Sequence, residues 1–583
     1  TYQINSKAEY EEQYQYASQN PHKFWDEIAN NFTWQKKWHK TIEHDFSKGS
    51  TKFFNGGKLN ITQNCLDRNA QKNPNKCAII LEANDPQKPS QKITYQELLD
   101  KTCQMANILK NNGVKKGDRV CIYMPMIIES VIATLACARI GAIHAIVFAG
   151  FSSDALADRI NDLKANMVIT ADVLNRGEKQ LNIKEIVDKA TENCPSIAKI
   201  LIIQREENFT KTSNKDILYH QELTKVSNNC PAEILDSEDE LFVLYTSGST
   251  GKPKGIVHSC GGYMVYSAYS FANVFNYQQD DIFFCTADIG WITGHSYLIY
   301  GPLLNNATIL MFEGTPTYPD ASRLWQVIEK HQVNIFYTAP TAIRSLMNQG
   351  DQFTQNHDLS SLKTLGTVGE PINLEAYNWY KEKIGQNKCN IVDTWWQTET
   401  GGILISNLAG VTNSNPTCAG LPLPGIEPIL INKDGKEINQ NNIEGYLTFK
   451  NPWPSLARTT WGNHTRFKEI YFNNFENYYF TGDAAKKDKD GFFRIIGRVD
   501  DVINSSGHRL GTAEIEDAIN KSKLIVESAV ISFPHKIKGQ GICAFVIPNK
   551  ETNADHEEIK FETINQTVNN IGKIARPDKV IIV

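Results

Sequence analysis

The 583-residue sequence contains no pair of cysteines in C-x-x-C spacing; its twelve cysteines are scattered from Cys65 to Cys543. Thiols without metal-ligand spacing in so long a chain fit a reducing compartment and argue against a disulfide framework. A long apolar run is also missing. The most apolar stretch, residues 120–151, is broken by Glu129, Arg139 and His144, whereas a bilayer-spanning helix needs roughly 20 nearly uninterrupted apolar residues. That stretch is expected to be a buried helix followed by a buried strand. Nor is there an excess of charge: 60 Lys and Arg stand against 65 Asp and Glu, a net charge of −5. Such a balance gives no electrostatic reason to expect nucleic acid or an anionic membrane as a partner. The opening residues Thr1-Tyr2-Gln3-Ile4 show neither the basic nor the apolar region of a secretory signal. No repeat at solenoid periods and no long low-complexity tract occurs. Cytoplasm is the default expectation.

What is present is an alternation. From about Ile93 to Tyr245, helical patterns alternate with short apolar runs at Val120–Tyr123, Ala145–Phe148 and Met167–Thr170. The pattern resumes at Ile309–Phe312 and Ile335–Tyr337. This predicts an α/β protein with helix-flanked, mainly parallel sheets. Beyond about Tyr446 the sequence changes to short strands with turn signals. Asp488-Lys489-Asp490-Gly491 predicts a hairpin turn, Phe492–Ile496 the strand after it, and Thr512 the start of a helix burying Ile515, Ala518 and Ile519. A boundary at Asp500 divides a large domain, residues 1–499, from a small one, residues 500–583.

The most informative segment is Tyr245-Thr246-Ser247-Gly248-Ser249-Thr250-Gly251-Lys252-Pro253-Lys254-Gly255, behind the apolar run Leu241–Leu244. Glycines let backbone N–H groups approach phosphate oxygens, the hydroxyls of Ser and Thr donate further bonds, and Lys offsets charge. The alternative is a flexible Gly/Ser surface loop. A Walker A loop is excluded, because Thr246 stands where its first Gly belongs and Pro253 where its Ser or Thr belongs.

This string resembles the signature of the adenylate-forming superfamily, which includes acyl-CoA synthetases, luciferases and peptide-synthetase adenylation domains. Further motifs follow in the family's order. Gly369-Glu370-Pro371 resembles the adenine-site turn. Asp393-Thr394-Trp395-Trp396-Gln397-Thr398-Glu399 resembles the central nucleotide motif in its acetyl-CoA synthetase form. Gly482-Asp483 resembles the ribose motif, and Gly497-Arg498-Val499-Asp500-Asp501 the hinge, with Asp500 as pivot. The resemblance spans nearly the whole chain. It implies a large α/β domain with a small α+β C-terminal lid, and an AMP-forming reaction in which acetate, ATP and coenzyme A are the substrates and Mg²⁺ the cofactor. Propionate in place of acetate is the nearest alternative, and a nucleotide-binding protein without full synthetase activity is another.

ATP or AMP contacts are implied for Thr246, Ser247, Gly248, Ser249, Thr250, Gly251, Lys254, the three residues of the adenine-site turn, Asp393–Thr398, Asp483, Arg498 and Arg509. Asp483 can accept two bonds from vicinal ribose hydroxyls, although a lone Asp after Gly is also a common turn residue. Arg498 can reach ribose or phosphate, or form a structural ion pair. Glu399 is the candidate magnesium ligand, against an ordinary surface glutamate. Trp291, Ile292, Thr293, Val368 and Trp396 resemble the acid pocket, with Trp396 as its floor; taken singly, each Trp could equally be core. Coenzyme A contacts are implied for Arg176, Lys179, Thr293, Thr317, Ser506 and Gly507. The chain departs from the family where Lys179 and Thr317 replace an arginine and an asparagine, and at Val568, near which the family has an arginine. The family's Pro-Lys-Thr-x-x-Gly-Lys segment does not occur, so its catalytic lysine is expected beyond Val583 and no catalytic residue is assigned.

Overall fold

The computed structural model describes all residues except 1, 247–251, 373, 500–501, 507, 550–551 and 553, and all but the side chains at 502, 509, 513 and 517. The apolar run at 120–151 resolves into strand Arg119–Tyr123, helix Ile128–Arg139 and strand Ile143–Ile146. The second strand lies two residues earlier than the apolar pattern suggests. The run continues past the strand because Phe148 faces a cavity wall rather than a sheet face.

These strands join an eight-stranded sheet. Its order is Asp216–Leu218, Lys199–Ile203, Met167–Ala171, Arg119–Tyr123, Ile143–Ile146, Glu240–Thr246, Lys254–Ser259 and Thr459–Thr460. Pairing is parallel as far as Glu240–Thr246 and antiparallel beyond it. A second eight-stranded sheet carries six parallel strands, from Asn390–Trp395 to Cys77–Glu82, with one antiparallel strand at each edge. Helix Cys260–Val274 links the two sheets and every one of its residues is buried. Tyr263 sets its ring 5.0 Å from Phe242 of the first sheet, and Phe271 sets its ring 4.9 Å from Phe283 of the second. A helix touching a sheet on each side is apolar all round, which accounts for its weak amphipathic pattern.

A four-stranded antiparallel sheet follows. Its hairpin Tyr479–Lys487 and Phe493–Arg498 turns at Asp488–Gly491. The Asp488 carboxylate accepts from the amides of Asp490 and Phe492, and Gly491 takes φ +87°. The C-terminal five-stranded sheet packs against helices Thr512–Ile519 and His556–Asn570. Ile515, Ala518 and Ile519 are buried there as predicted.

All twelve cysteines are free thiols, ten of them buried and two, Cys77 and Cys389, half-buried. Among the described residues no helix is long and apolar enough to cross a membrane.

Candidate active site: two adjoining cavities

Parallel strands place their following loops at one edge of a sheet, and ligand clefts form there. The loops after Thr364–Thr367 and Asn390–Trp395 carry Gly369-Glu370-Pro371 and Trp396-Gln397. Together with Asp393, Thr394, Trp395, Asp483 and Arg498 they line a cavity of about 80 Å³. Asp483 and Arg498 are register partners across the hairpin.

The Asp483 carboxylate accepts from Trp395 Nε1 at 2.9 Å and Gln397 Nε2 at 2.8 Å, while Arg498 Nη1 stands 3.5 Å from its Oδ1. Arg498 also donates to the Thr481 carbonyl at 3.2 Å. Gly482, at φ +75°, permits this approach: a Cβ there would lie 2.5 Å from Arg498 Nη2. Arg498 therefore pairs with Asp483 on the cavity wall, while the neighbouring Asp500 and Asp501 lie outside the described residues.

Asp393 accepts from Thr367 Oγ1 at 2.7 Å, yet burial pushes its carboxyl up to about 7 against that bond. Between about pH 4 and 7 the folded state then binds more protons than the unfolded one, so stability falls as pH rises through that window. Asp393→Asn does not titrate. Its melting temperature, measured from pH 5 to 8, is expected to gain a few degrees on the wild type as pH rises. A gap that stays flat would show that Asp393 is ionised throughout.

Thr246 and Lys254 are register partners on adjacent strands; residues 247–251, predicted to contact phosphate, lie outside the described set. The Thr246 hydroxyl is buried with no partner among the described residues. Lys254 does not line either cavity. It is buried, donates to Tyr471 Oη at 2.7 Å and stands 3.6 Å from Glu399 Oε1. The Tyr471 hydroxyl donates to that same Glu399 oxygen. Glu399 is 1% exposed, so it is no ordinary surface glutamate. Among the described residues no three His, Cys, Asp or Glu gather as a protein-only metal cage. A single buried carboxylate fits magnesium, which takes most of its ligands from phosphate and water.

A larger cavity of about 450 Å³ is lined by Arg176, Trp291, Thr293, Thr317, Val368 and Ser506 among others, and Gly369 lines both cavities. Most of the predicted acid-pocket and coenzyme A residues thus line one cavity. Three expectations fare differently. Lys179 sits opposite Arg176 on the hairpin Val173–Arg176/Lys179–Asn182 but does not line the cavity. Ile292 is buried outside the lining. Trp396 belongs to the smaller cavity, its edge against Tyr297 at 4.8 Å. Gly507, Asp500 and the Arg509 side chain lie outside the described set.

Trp291 is covered by His508, ring centroids 4.5 Å apart, and by Phe148 at 5.5 Å. Burial lowers the His508 imidazole to about 4, helped by Arg176, so it is neutral at pH 7. Burial raises the Asp288 carboxyl in the same cavity to about 6, opposed by its bond from the Gly290 amide and by Arg176.

This geometry can be set beside known proteins. The AMP-binding enzyme family matches residues 66–461, the acetyl-coenzyme A synthetase N-terminus residues 10–65, and the AMP-binding enzyme C-terminal domain residues 514–583. An acetyl-coenzyme A synthetase of Alkalilimnicola ehrlichii is 50% identical over 577 residues, covering 99% of this chain and 89% of that protein. The chain belongs to the acetyl-coenzyme A synthetase family. The same family name is carried by a Magnetococcus marinus protein, 49% identical over 99% of this chain and 89% of its own length. A Pseudomonas aeruginosa protein, acetyl-coenzyme A synthetase 2, is 49% identical over 98% and 88% respectively.

Within this member of the acetyl-coenzyme A synthetase family, two residues at the site carried no local signal: Asn504, which lines the smaller cavity, and Tyr471, which lines neither cavity and sits behind Glu399. Tyr471 is the last residue of helix His464–Tyr471 and reads as an ordinary core aromatic. Asp288 and His508, which line the larger cavity, lie within the segments that carry Trp291 and Ser506.

Proposed function

We propose that this chain is an AMP-forming acetate–CoA ligase. The observation that carries the proposal is that Gly369 lines two cavities, a smaller one with Asp483 and Arg498 on its wall and a larger one with Val368, Trp291 and Thr293 on its wall. An acyl-adenylate has to be reached from both sides, by ATP during its formation and by a thiol during its consumption. In the first step an acetate oxygen attacks the α-phosphorus of ATP and pyrophosphate leaves. In the second the coenzyme A sulfur attacks the acetyl carbonyl, AMP leaves with the electron pair of the C–O bond, and the thiol proton is lost.

Asp483 faces the ribose hydroxyls in this reading, held by Trp395 and Gln397, and Arg498 offsets phosphate charge. Glu399, with phosphate oxygens, would hold a magnesium ion, which when bound offsets charge on the departing pyrophosphate. Arg176 and Thr317 face the coenzyme A end, and Trp291 with Val368 leaves room for a short acyl chain. Residues 500–583 act as a lid turning about Asp500, so that one site serves two geometries.

The test is acetate-dependent exchange of labelled pyrophosphate into ATP. Exchange is expected with acetate and weaker with propionate. Its absence with both acids, in protein that binds ATP, removes the reading, and a reversed preference assigns propionate.

A further inference from the structure

Arg344, on helix Pro340–Gln349, faces two parts of the molecule at once. Its Nη2 donates to Glu370 Oε2 at 2.9 Å, and both side chains are 5% exposed. Its Nε donates to the main-chain carbonyl of Ile537 at 3.1 Å. Glu370 belongs to the turn that lines the nucleotide-sided cavity. Its other oxygen accepts from the Thr341 amide at 2.9 Å. Ile537 lies in the tight connection between strands Ile525–His535 and Gly539–Pro548 of the C-terminal sheet, and itself lines the larger cavity. Gly539, at φ +76°, closes on the same carboxylate: a Cβ there would stand 2.1 Å from Glu370 Oε2 and 3.2 Å from Arg344 Nη2.

The C-terminal region reaches the larger domain elsewhere too. Glu514 is 3.8 Å from Arg159, His508 covers Trp291, and Gly572 bridges to Phe151. Of those contacts, His508 on Trp291 lies on the wall of the larger cavity, and the other two involve residues that line neither cavity. The Arg344 contact alone among these four falls on the nucleotide turn. In this orientation the region also supplies Ser506, His508 and Ile537 to the wall of the larger cavity, so it completes the thiol side.

We propose that Arg344 is a positioning residue for acyl transfer, tying the nucleotide turn at Glu370 to the lid at Ile537 and so holding the lid in its thiol-accepting place. A planar guanidinium can serve a carboxylate and a carbonyl together, whereas an ammonium on a flexible stem serves one acceptor well. Buried, charge-assisted bonds of this type carry enough free energy to bias a two-position lid. The inference rests on the two-step reading above.

Two variants approach the contact from opposite sides. Arg344→Lys keeps a cation for Glu370 and gives up the Ile537 carbonyl. Gly539→Ala keeps the arginine and pushes the connection off the carboxylate. In each, acetate-dependent pyrophosphate exchange is expected within about twofold of wild type. Transfer of acetyl from preformed acetyl-adenylate to coenzyme A is expected to fall about tenfold, the loss of one hydrogen bond to a charged group. Amide hydrogen exchange of the 535–541 connection, without substrates, should quicken in Arg344→Lys. Equal loss in both half-reactions, or an unchanged transfer step in folded Arg344→Lys, overturns the proposal. Absence of pyrophosphate exchange in the wild type would instead remove the ligase reading. The coupling would then stand or fall on the amide protection alone. If Gly539→Ala does not fold, because of its positive φ, Arg344→Lys decides.

Discussion

Trp396→Gly is expected to shift acid preference from acetate toward butyrate and valerate. The Trp396 indole lines the smaller cavity together with Gly369, which also lines the larger one, and meets the buried Tyr297 ring nearly at a right angle, centroids 4.8 Å apart. Its removal opens space where a short acyl chain would end. Each CH₂ that fills that space contributes roughly 0.8 kcal/mol, about fourfold in binding. Valerate, with three more CH₂ groups than acetate, could therefore gain on the order of 60-fold in relative kcat/KM. Acetate itself should fare worse, since it would leave the space empty or wet. If the indole is only core, its loss costs about 3–5 kcal/mol of stability and lowers activity toward every acid alike. The valerate-to-acetate ratio of kcat/KM separates the two, and an unchanged ratio with a lowered melting temperature rejects the pocket.

Glu82→Ala is expected to give the largest loss of stability. Glu82 ends strand Cys77–Glu82 and is fully buried. It accepts from Arg323 Nη2 at 2.9 Å, Lys330 Nζ at 3.0 Å, His331 Nε2 at 2.8 Å and Ser90 Oγ at 2.6 Å. Burial pushes its carboxyl up, but these bonds more than reverse that and hold it far below the usual carboxylate range. Truncation leaves the buried Arg323 guanidinium without its counter-charge. Breaking a buried pair in this way typically costs about 3–5 kcal/mol. Glu82→Gln, which keeps the shape and some of the bonds, should cost less. Urea unfolding of the two variants checks both the size and the order. Glu82, Lys330 and His331 line neither cavity, so activity of the folded variant at 25 °C should be little changed. A loss under 1 kcal/mol would mean that water enters the cluster and replaces the carboxylate.

Local chemistry made some elements legible in the sequence. The Asp-Gly hairpin, the helix from Thr512, and the strands at Met167 and Thr308 each follow from a pattern confined to a few residues. The strand after the hairpin begins and ends one or two residues later than read, at Phe493 and Arg498. Its bounds are set by pairing with Tyr479–Lys487, which no local pattern contains. The resemblance grouped Gly369–Pro371, the Trp395–Gln397 segment and Asp483 as contacts of one nucleotide, and all of them line one cavity. Lys254, expected on phosphate, bonds Tyr471, 217 residues further along. Arg344 and Ile537 are separated by 193 residues, and a main-chain carbonyl leaves no trace in the identity of its residue. Contacts of this sort are fixed by tertiary placement, which a single sequence does not encode locally.

The burial of the cysteines has a consequence for how the fold can be observed. A thiol reacts with an alkylating reagent as thiolate and only when the reagent can reach it. Burial shields ten of the twelve sulfurs outright and raises groups such as Cys121 and Cys285 to about 12. The thiols are distributed through the strands, helices and connecting loops of the large domain, with Cys543 alone in the C-terminal sheet. Each of the ten buried ones therefore becomes reactive only when its own piece of structure opens. Alkylation rates, resolved peptide by peptide, would map the free energy of opening across the molecule, with no label introduced and no residue changed.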